Sequence, residues 1–215
     1  EVMLSSGTDA IHPGYGFLSE NDDFARLCEK NKINFIGPSA DSMNLCGDKM
    51  RCKAAMLKAE VPTVPGSPGI VDDAQQAEKI ANDIGYPVLL KSVYGGGGRG
   101  IRLVTNDKEL QEGSATVTSE SIDAVGKSAI IVEKFLEKTR HIEYQMCRDK
   151  HGNTVQLFER ECSIQRRNQK LIEQTPSPVV DEAKREEIGA LVVKAAQAVD
   201  YTNLGTAEFL RADSG

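Results

Sequence analysis

Residues 88–104 read Val-Leu-Leu-Lys-Ser-Val-Tyr-Gly-Gly-Gly-Gly-Arg-Gly-Ile-Arg-Leu-Val. Val88 to Lys91 has strand character, and so has Ile101 to Val104 beyond the glycines. Gly95, Gly97 and Gly100 satisfy the G-x-G-x-x-G spacing, but a dinucleotide-binding turn needs a helix next, and here strand follows strand. No G-x-x-x-x-G-K-[ST] occurs in the chain, which excludes a P-loop. Four consecutive glycines lose backbone entropy on folding and contribute no packing. What Gly95, Gly96, Gly97, Gly98, Arg99 and Gly100 supply is a loop whose N–H groups close over phosphates, with Arg99 adding charge. Lys91, at the strand end, reaches a phosphate oxygen as a point charge. The plain alternatives are a flexible hairpin tip and a solvated lysine.

Outward from that hairpin the chain alternates helix and strand. Ala10-Ile11 runs into a His12-Pro13-Gly14-Tyr15-Gly16 turn, and Asn21 or Asp22 caps a helix with Phe24, Leu27 and Cys28 on its apolar face. Ile33 to Ile36 reads as a strand, Ser39 caps a short helix, and another helix covers about Lys49 to Ala59. This opening third has the rhythm of a parallel sheet. Residues 62–70, rich in Pro and Gly, form the best boundary. Asp72 and Asp73 open a helix through Ile84, Asp107 opens another, and Ala129 to Val132 is the most apolar strand. His141 to Cys147 alternates, with Ile142, Tyr144 and Met146 on one face and His141, Glu143 and Gln145 on the other; Val155 to Phe158 returns as a hairpin. Ile188, Leu191, Val192, Ala195 and Val199 form a core stripe on a helix from Glu182, and Thr206 to Leu210 is a final strand.

The chain has 215 residues, 40% apolar and 27% charged, with net charge −6. That content supports one or two folded domains with a real core. No apolar stretch approaches a membrane span, and the acidic balance disfavours a generic nucleic-acid coat. Five cysteines at irregular spacing, with no C-x-x-C, read as reduced thiols used as small buried hydrophobes in a cytoplasmic compartment. The first residues lack an initiator Met and a basic leader, and the last follow an apolar run with a turn signal, so both ends read as cut from a longer protein.

Several side chains could carry chemistry. Lys49, at a helix start, is a second candidate phosphate lysine. The edge Glu133-Lys134-Phe135-Leu136 could offer backbone groups to a purine. Arg160, Arg166, Arg167 and Lys170 form a basic cluster that either holds an anion or is a salt-bridged surface. His141 and Glu143 are a base and its orienter, a metal pair or an exposed hydrogen bond. Glu208, between Ala207 and Phe209, is a carboxylate where an apolar residue is expected; it is either paired with a cation or metal, or on a wet face.

Together these segments resemble the biotin carboxylase family of the ATP-grasp superfamily. The resemblance runs through AIHPGYGFLSEN (10–21), FIGP (35–38), GDK (47–49), GYPVLLK (85–91), GGGGRG (95–100), RHIE (140–143) and ERECSIQRRNQK (159–170), in order along the chain. It implies an α/β fold: the tail of a parallel-sheet domain over 1–48, then an incomplete ATP-grasp domain over 49–215 with a glycine-loop lid at about 64–135. It implies Mg-ATP (or Mn-ATP), with bicarbonate attacking the γ-phosphate and the carboxyl group passing through carboxyphosphate to biotin on a carrier protein. Carried over by position, Lys49, Lys91 and the loop from Gly95 to Gly100 serve the phosphates. Glu133, Lys134, Phe135 and Leu136 serve adenine, and His141, Gln165 and Asn168 lie near ribose and phosphates. Lys170 serves bicarbonate and the γ-phosphate as the catalytic residue, Glu208 is a metal ligand, and Tyr15 and Gly16 flank biotin. Asn168 stands where some members have His. A biotin carboxyl carrier and a carboxyltransferase, as subunits or domains, are the implied partners of a homodimeric parent. The family's second metal carboxylate lies beyond Gly215, so this piece alone is expected not to turn over. The rival readings are another ATP-grasp ligase of the carbamoyl-phosphate synthetase type and a non-catalytic nucleotide-binding module.

Overall fold

The computed structural model describes residues 2–71, 73–92, 100–125, 130–166 and 169–212. It divides into two compact units, Glu1–Pro62 with Lys138–Gly215, and Thr63–Glu137. The chain leaves the first unit at Pro62, inside the Pro/Gly-rich stretch.

The first unit opens with α1 (Val2–Ser5), β1 (Ala10–Ile11), α2 (Asp22–Lys30), β2 (Asn34–Phe35), α3 (Ala40–Gly47) and α4 (Lys49–Lys58). β1 and β2 pair in parallel, Ala10 opposite Asn34. Asn21 Oδ1 accepts the Phe24 N–H at 2.7 Å and Ser39 Oγ that of Ser42 at 3.2 Å, so each side chain satisfies an otherwise orphaned helix donor. The buried face of α2 is Ala25 and Cys28; Leu27 is turned to solvent, because the helix packs on a narrower stripe than its apolar residues suggest.

The second unit contains α5 (Ala74–Ile84), β3 (Val88–Ser92), β4 (Ile101–Val104), α6 (Asp107–Val125) and β5 (Ile130–Lys134). The sheet order is β4-β3-β5, antiparallel throughout, so the glycine run joins two neighbouring strands as its context requires. Asp73 Oδ1 caps α5 by accepting the Gln76 N–H at 2.8 Å, and Gly85 follows at φ +77°, a conformation that favours glycine. Val88, Leu90, Val104, Leu110, Val117 and Val132 make the core.

The first unit resumes with β6 (Arg140–Arg148), β7 (Thr154–Arg166), β8 (Gln169–Gln174), α7 (Glu182–Ala198) and β9 (Asn203–Arg211). The antiparallel order is β8-β7-β6-β9. The strand expected at Val155 to Phe158 is only the first part of β7, which also carries Arg160 and Arg166 of the basic cluster; Lys170 is on β8, and Arg167 lies outside the described residues. Ile142, Tyr144 and Met146 pack on Val192 and Ala196 of α7. The α7 stripe is centred on Val192, Ala196 and Val199, with Leu191 and Ala195 at its half-buried margin. Gly205 on β9 has no room for a side chain, since a Cβ there would lie 2.5 Å from the Tyr201 ring and 2.8 Å from Met146. Among the described residues no helix is long and apolar enough to cross a membrane.

Candidate functional site

In the unit Thr63–Glu137, β3 places Lys91 opposite Ile131 of β5, while Glu133 stands opposite Leu89. Lys91 and Glu133 are therefore diagonal neighbours, and Lys91 Nζ donates a hydrogen bond to Glu133 Oε2. The side chains are 28% and 23% exposed, so the pair stands at an accessible edge rather than in the core. A ligand phosphate and a ligand amine would each compete for one partner of this pair. Lys134 turns inward, its Nζ donating to the carbonyls of Gly85 and Tyr86, each at 2.9 Å. The N–H groups of Lys134 and Phe135 donate to Pro65 O at 2.8 Å and Pro87 O at 3.1 Å, so they hold the strand rather than stand open. Leu136 is the next residue along this edge. Gly100 is at φ +69° and its carbonyl accepts the Ser92 N–H at 2.8 Å, closing the base of the hairpin. Gly95, Gly96, Gly97, Gly98 and Arg99 lie outside the described residues, as does Asn168.

The first unit carries a denser cluster. Across its sheet Glu143 of β6 stands opposite Arg160 of β7 on one side and opposite Glu208 of β9 on the other. Two carboxylates directly opposite each other repel unless a cation lies between them. Lys170 of β8 is that cation: its Nζ donates to Glu143 Oε2, and to Glu208 Oε1 at 2.7 Å. Arg160 holds the other oxygen of Glu143 through Nε at 2.7 Å and also reaches Gln145 at 3.2 Å. Glu143 is 5% exposed and Glu208 53%, so one carboxylate is buried between cations while the other faces out. Burial acts to raise the Glu143 pKa, but the hydrogen bonds from Lys170 and Arg160 prevail and hold it below the usual carboxylate range. For Lys170 burial acts downward, and the two glutamates override it and raise the ammonium above the ordinary lysine value.

His141 Nε2 lies 3.4 Å from Glu208 Oε1 in an orientation that makes no hydrogen bond, which leaves it a buried polar atom without a hydrogen-bond partner among the described residues. Such an atom costs free energy unless something meets it, and points to a group expected there. His141, Glu143 and Glu208 each offer a ligand atom within 4.8 Å of the others. A hard divalent cation prefers carboxylate oxygens, and two are present. The residues fit such an ion only if Lys170 gives up its place between them. Glu143, Cys162 and Glu173 form a second such group. Gln165 Nε2 is turned to the Cys162 carbonyl at 2.9 Å.

Glu208 also lines a cavity of about 960 Å³, together with His12, Tyr15, Lys49 and Tyr201. Lys49 is the first residue of α4, whose N-cap Asp48 accepts the Met50 and Arg51 N–H groups, each at 3.0 Å. Tyr15 is almost fully exposed at 96%, and Gly16 beside it accepts the Ser19 hydroxyl at 2.6 Å. The structure thus brings Lys49, Tyr15 and Glu208 to one cavity, with Glu208 shared by the Lys170 cluster. Arg160 is no free anion holder, being neutralised by Glu143 and Glu173. Sequence reasoning treated Glu143 as one half of a His–Glu pair and missed its burial. The signal available was a carboxylate midway along a strand whose flanking residues, Ile142 and Tyr144, are both core.

One unit thus carries a lysine bridging two opposed carboxylates, and the other a pair of antiparallel strands connected by the glycine run. The model of the carbamoyl-phosphate synthase L chain ATP-binding domain matches residues 48–214, and that of the biotin carboxylase N-terminal domain matches residues 1–43. The chain belongs to the biotin carboxylase family, whose ATP-binding domain is the one shared with carbamoyl-phosphate synthase. It is 51% identical to the 2-oxoglutarate carboxylase small subunit of Hydrogenobacter thermophilus over 215 residues, 100% of this chain and 46% of the relative. It is 50% identical to biotin carboxylase 1 of Bacillus subtilis, over 97% of this chain and 46% of that protein. The chain thus spans about half the length of these relatives. The crystallised biotin carboxylase domain dimer of the Hydrogenobacter enzyme, in complex with MgADP, ADP and bicarbonate, superposes with a TM-score of 0.86 at 51% identity, covering 100% of this chain and 47% of that one. A biotin carboxylase–ATP analogue complex from Campylobacter jejuni gives a TM-score of 0.87 at 46% identity, covering 99% and 48%.

Proposed function

We propose that the protein carrying this chain uses Mg-ATP and bicarbonate to carboxylate biotin held on a carrier protein, and that residues 1–48 and 49–215 contribute an N-terminal and an ATP-grasp domain to it, with a lid at about 64–135. The observation that carries the reading is Lys170 bridging Glu143 and Glu208 beside the unpartnered Nε2 of His141. A relative of the same family and fold holds MgADP and bicarbonate. In the reaction the metal would neutralise charge on the phosphates. Lys170 is preorganised as a cation for bicarbonate and the oxygens of the transferring phosphoryl group, and needs no proton transfer to act because its raised pKa keeps it charged. Lys91 and Lys49 hold phosphates, Glu133 and Leu136 take the base, and Glu143 fixes Lys170 from behind. His141, Gln165 and Asn168 hold ribose and phosphates, Tyr15 and Gly16 flank biotin, and a carboxyltransferase consumes the product. All five cysteines are free, which supports a reducing, cytoplasm-like compartment.

The test is steady-state ATP hydrolysis by the intact protein, with and without bicarbonate and free biotin. Hydrolysis that needs both supports the reading. Hydrolysis that needs bicarbonate and ignores biotin replaces it with the carbamoyl-type chemistry, and no hydrolysis replaces it with a nucleotide-binding module.

A further inference from the structure

The turn His12-Pro13-Gly14-Tyr15-Gly16 is built around its first residue. Pro13 fixes its own φ, and Gly14 at φ +74° supplies a left-handed residue, which is what the two central positions of a type II turn require. His12 and Tyr15 are then the outer residues, which such a turn brings close together. The His12 side chain folds back over the turn, and its Nδ1 accepts the Gly14 N–H at 3.0 Å. Its ring meets that of Tyr15 edge to face, with centroids 5.7 Å apart and planes at 67°. The chain is tied on the far side as well, because the Gly16 carbonyl accepts the Ser19 N–H at 3.0 Å and the Ser19 hydroxyl at 2.6 Å.

Tyr15 is 96% exposed, so burial does not hold its ring. An exposed side chain exchanges rotamers freely unless a neighbour restricts it. Among the described residues the ring contact that Tyr15 makes is with His12. His12 in turn is fixed by the Gly14 N–H, and with Nδ1 as acceptor the neutral imidazole carries its proton on Nε2. The restraint therefore passes from the backbone of the turn to His12, and from His12 to Tyr15. Both residues line the 960 Å³ cavity that also holds Lys49 and Glu208.

We propose that His12 is a positioning residue: its imidazole, fixed by the Gly14 N–H, holds the Tyr15 ring at the cavity and so sets how tightly biotin is received there. The consequence for biotin rests on the reading that Tyr15 flanks that substrate; the positioning of the ring does not. Three substitutions separate the two contacts. His12→Asn keeps an acceptor for the N–H two residues on and removes the ring. His12→Phe keeps a ring and removes the acceptor, and His12→Ala removes both. His12 is exposed and lies in a turn, so none of the three takes a side chain out of the core.

The test is steady-state kinetics of the intact protein with free biotin, together with the fluorine NMR signal of 3-fluorotyrosine placed at position 15. His12→Ala is expected to raise the KM for biotin about 3–10-fold, the range of one edge-to-face ring pair and one hydrogen bond, with the KM for ATP unmoved. His12→Asn and His12→Phe should each fall between the wild type and His12→Ala, and the fluorine signal should shift in His12→Ala. In a Tyr15→Ala background His12→Ala should add no further rise, since a residue that acts through Tyr15 has nothing left to act on. An unchanged biotin KM in His12→Ala, where Tyr15→Ala raises it, overturns the proposal. So does an equal rise in the KM for biotin and for ATP, or a full further rise in the Tyr15→Ala background. If Tyr15→Ala itself leaves the biotin KM unchanged, the biotin reading of the turn fails instead, and the fluorine signal decides whether His12 holds the ring.

Discussion

Replacing Lys170 with Met separates the structural from the chemical role of its cluster. The substitution removes one charge-assisted hydrogen bond to the buried Glu143 and one to the exposed Glu208. The second is an exposed pair of small worth, and the first is of a kind worth about 1.5–3 kcal/mol. Lys170 is itself 30% exposed, and Arg160 still holds Glu143 at 2.7 Å, which reduces the loss. The net cost to stability is then about 1–2 kcal/mol, a fall in melting temperature of about 3–6 °C for a unit of this size. Loss of a preorganised charge at a transferring phosphoryl group costs more, about 10²–10³ in kcat. Thermal unfolding and bicarbonate-dependent ATP hydrolysis on the same preparation read both numbers. A tenfold or smaller loss of kcat with an intact fold would refute the assignment, because it would make Lys170 a plain charge balancer for Glu143.

Other outcomes follow from the same sheet. Arg185→Ala strips both 2.7 Å hydrogen bonds from the fully buried Glu159, and should cost about 3 kcal/mol in urea unfolding, as expected for a buried charge left without its partner. Glu143, Glu159 and Glu161 are all held below the usual carboxylate range. Depressed values contribute stability that is full above the unfolded glutamate value of about 4.3 and is lost as pH falls through the folded values. Urea midpoints should therefore drop steeply on the acid side of pH 4, and Glu159→Gln should flatten that slope even though it starts from a less stable protein. Gly205→Val should overpack Tyr201 and Met146 by about 1–3 kcal/mol, measurable by the same unfolding curves. Lys91→Met, which frees Glu133 of its cation, should weaken ATP binding in calorimetry while leaving the β3–β5 core residues Val88 and Val132 untouched.

Local signals carried most of the element pattern. Asn21, Ser39 and Asp73 each cap the helix that their position announces, because capping is satisfied within three residues; Asp181, which the sequence reading passed over, caps α7 in the same way. The strand-to-strand reading of the glycine run held as well: Val88 to Lys91 and Ile101 to Val104 pair antiparallel on either side of it. What sequence could not supply was lateral register. Glu143, Arg160, Lys170 and Glu208 come from four different strands, and nothing in their separation along the chain shows that β6 runs between β7 and β9. Burial was misjudged at Glu143 for that reason and at Leu27 because α2 packs on a narrow stripe.

The most direct test of the central claim is transfer of label from [14C]bicarbonate to biotin by the intact protein with Mg-ATP. The account predicts acid-labile label on biotin that requires ATP and disappears in Lys170→Met. ATP consumed in the presence of bicarbonate with no label on biotin, or labelling that survives in Lys170→Met, would contradict it.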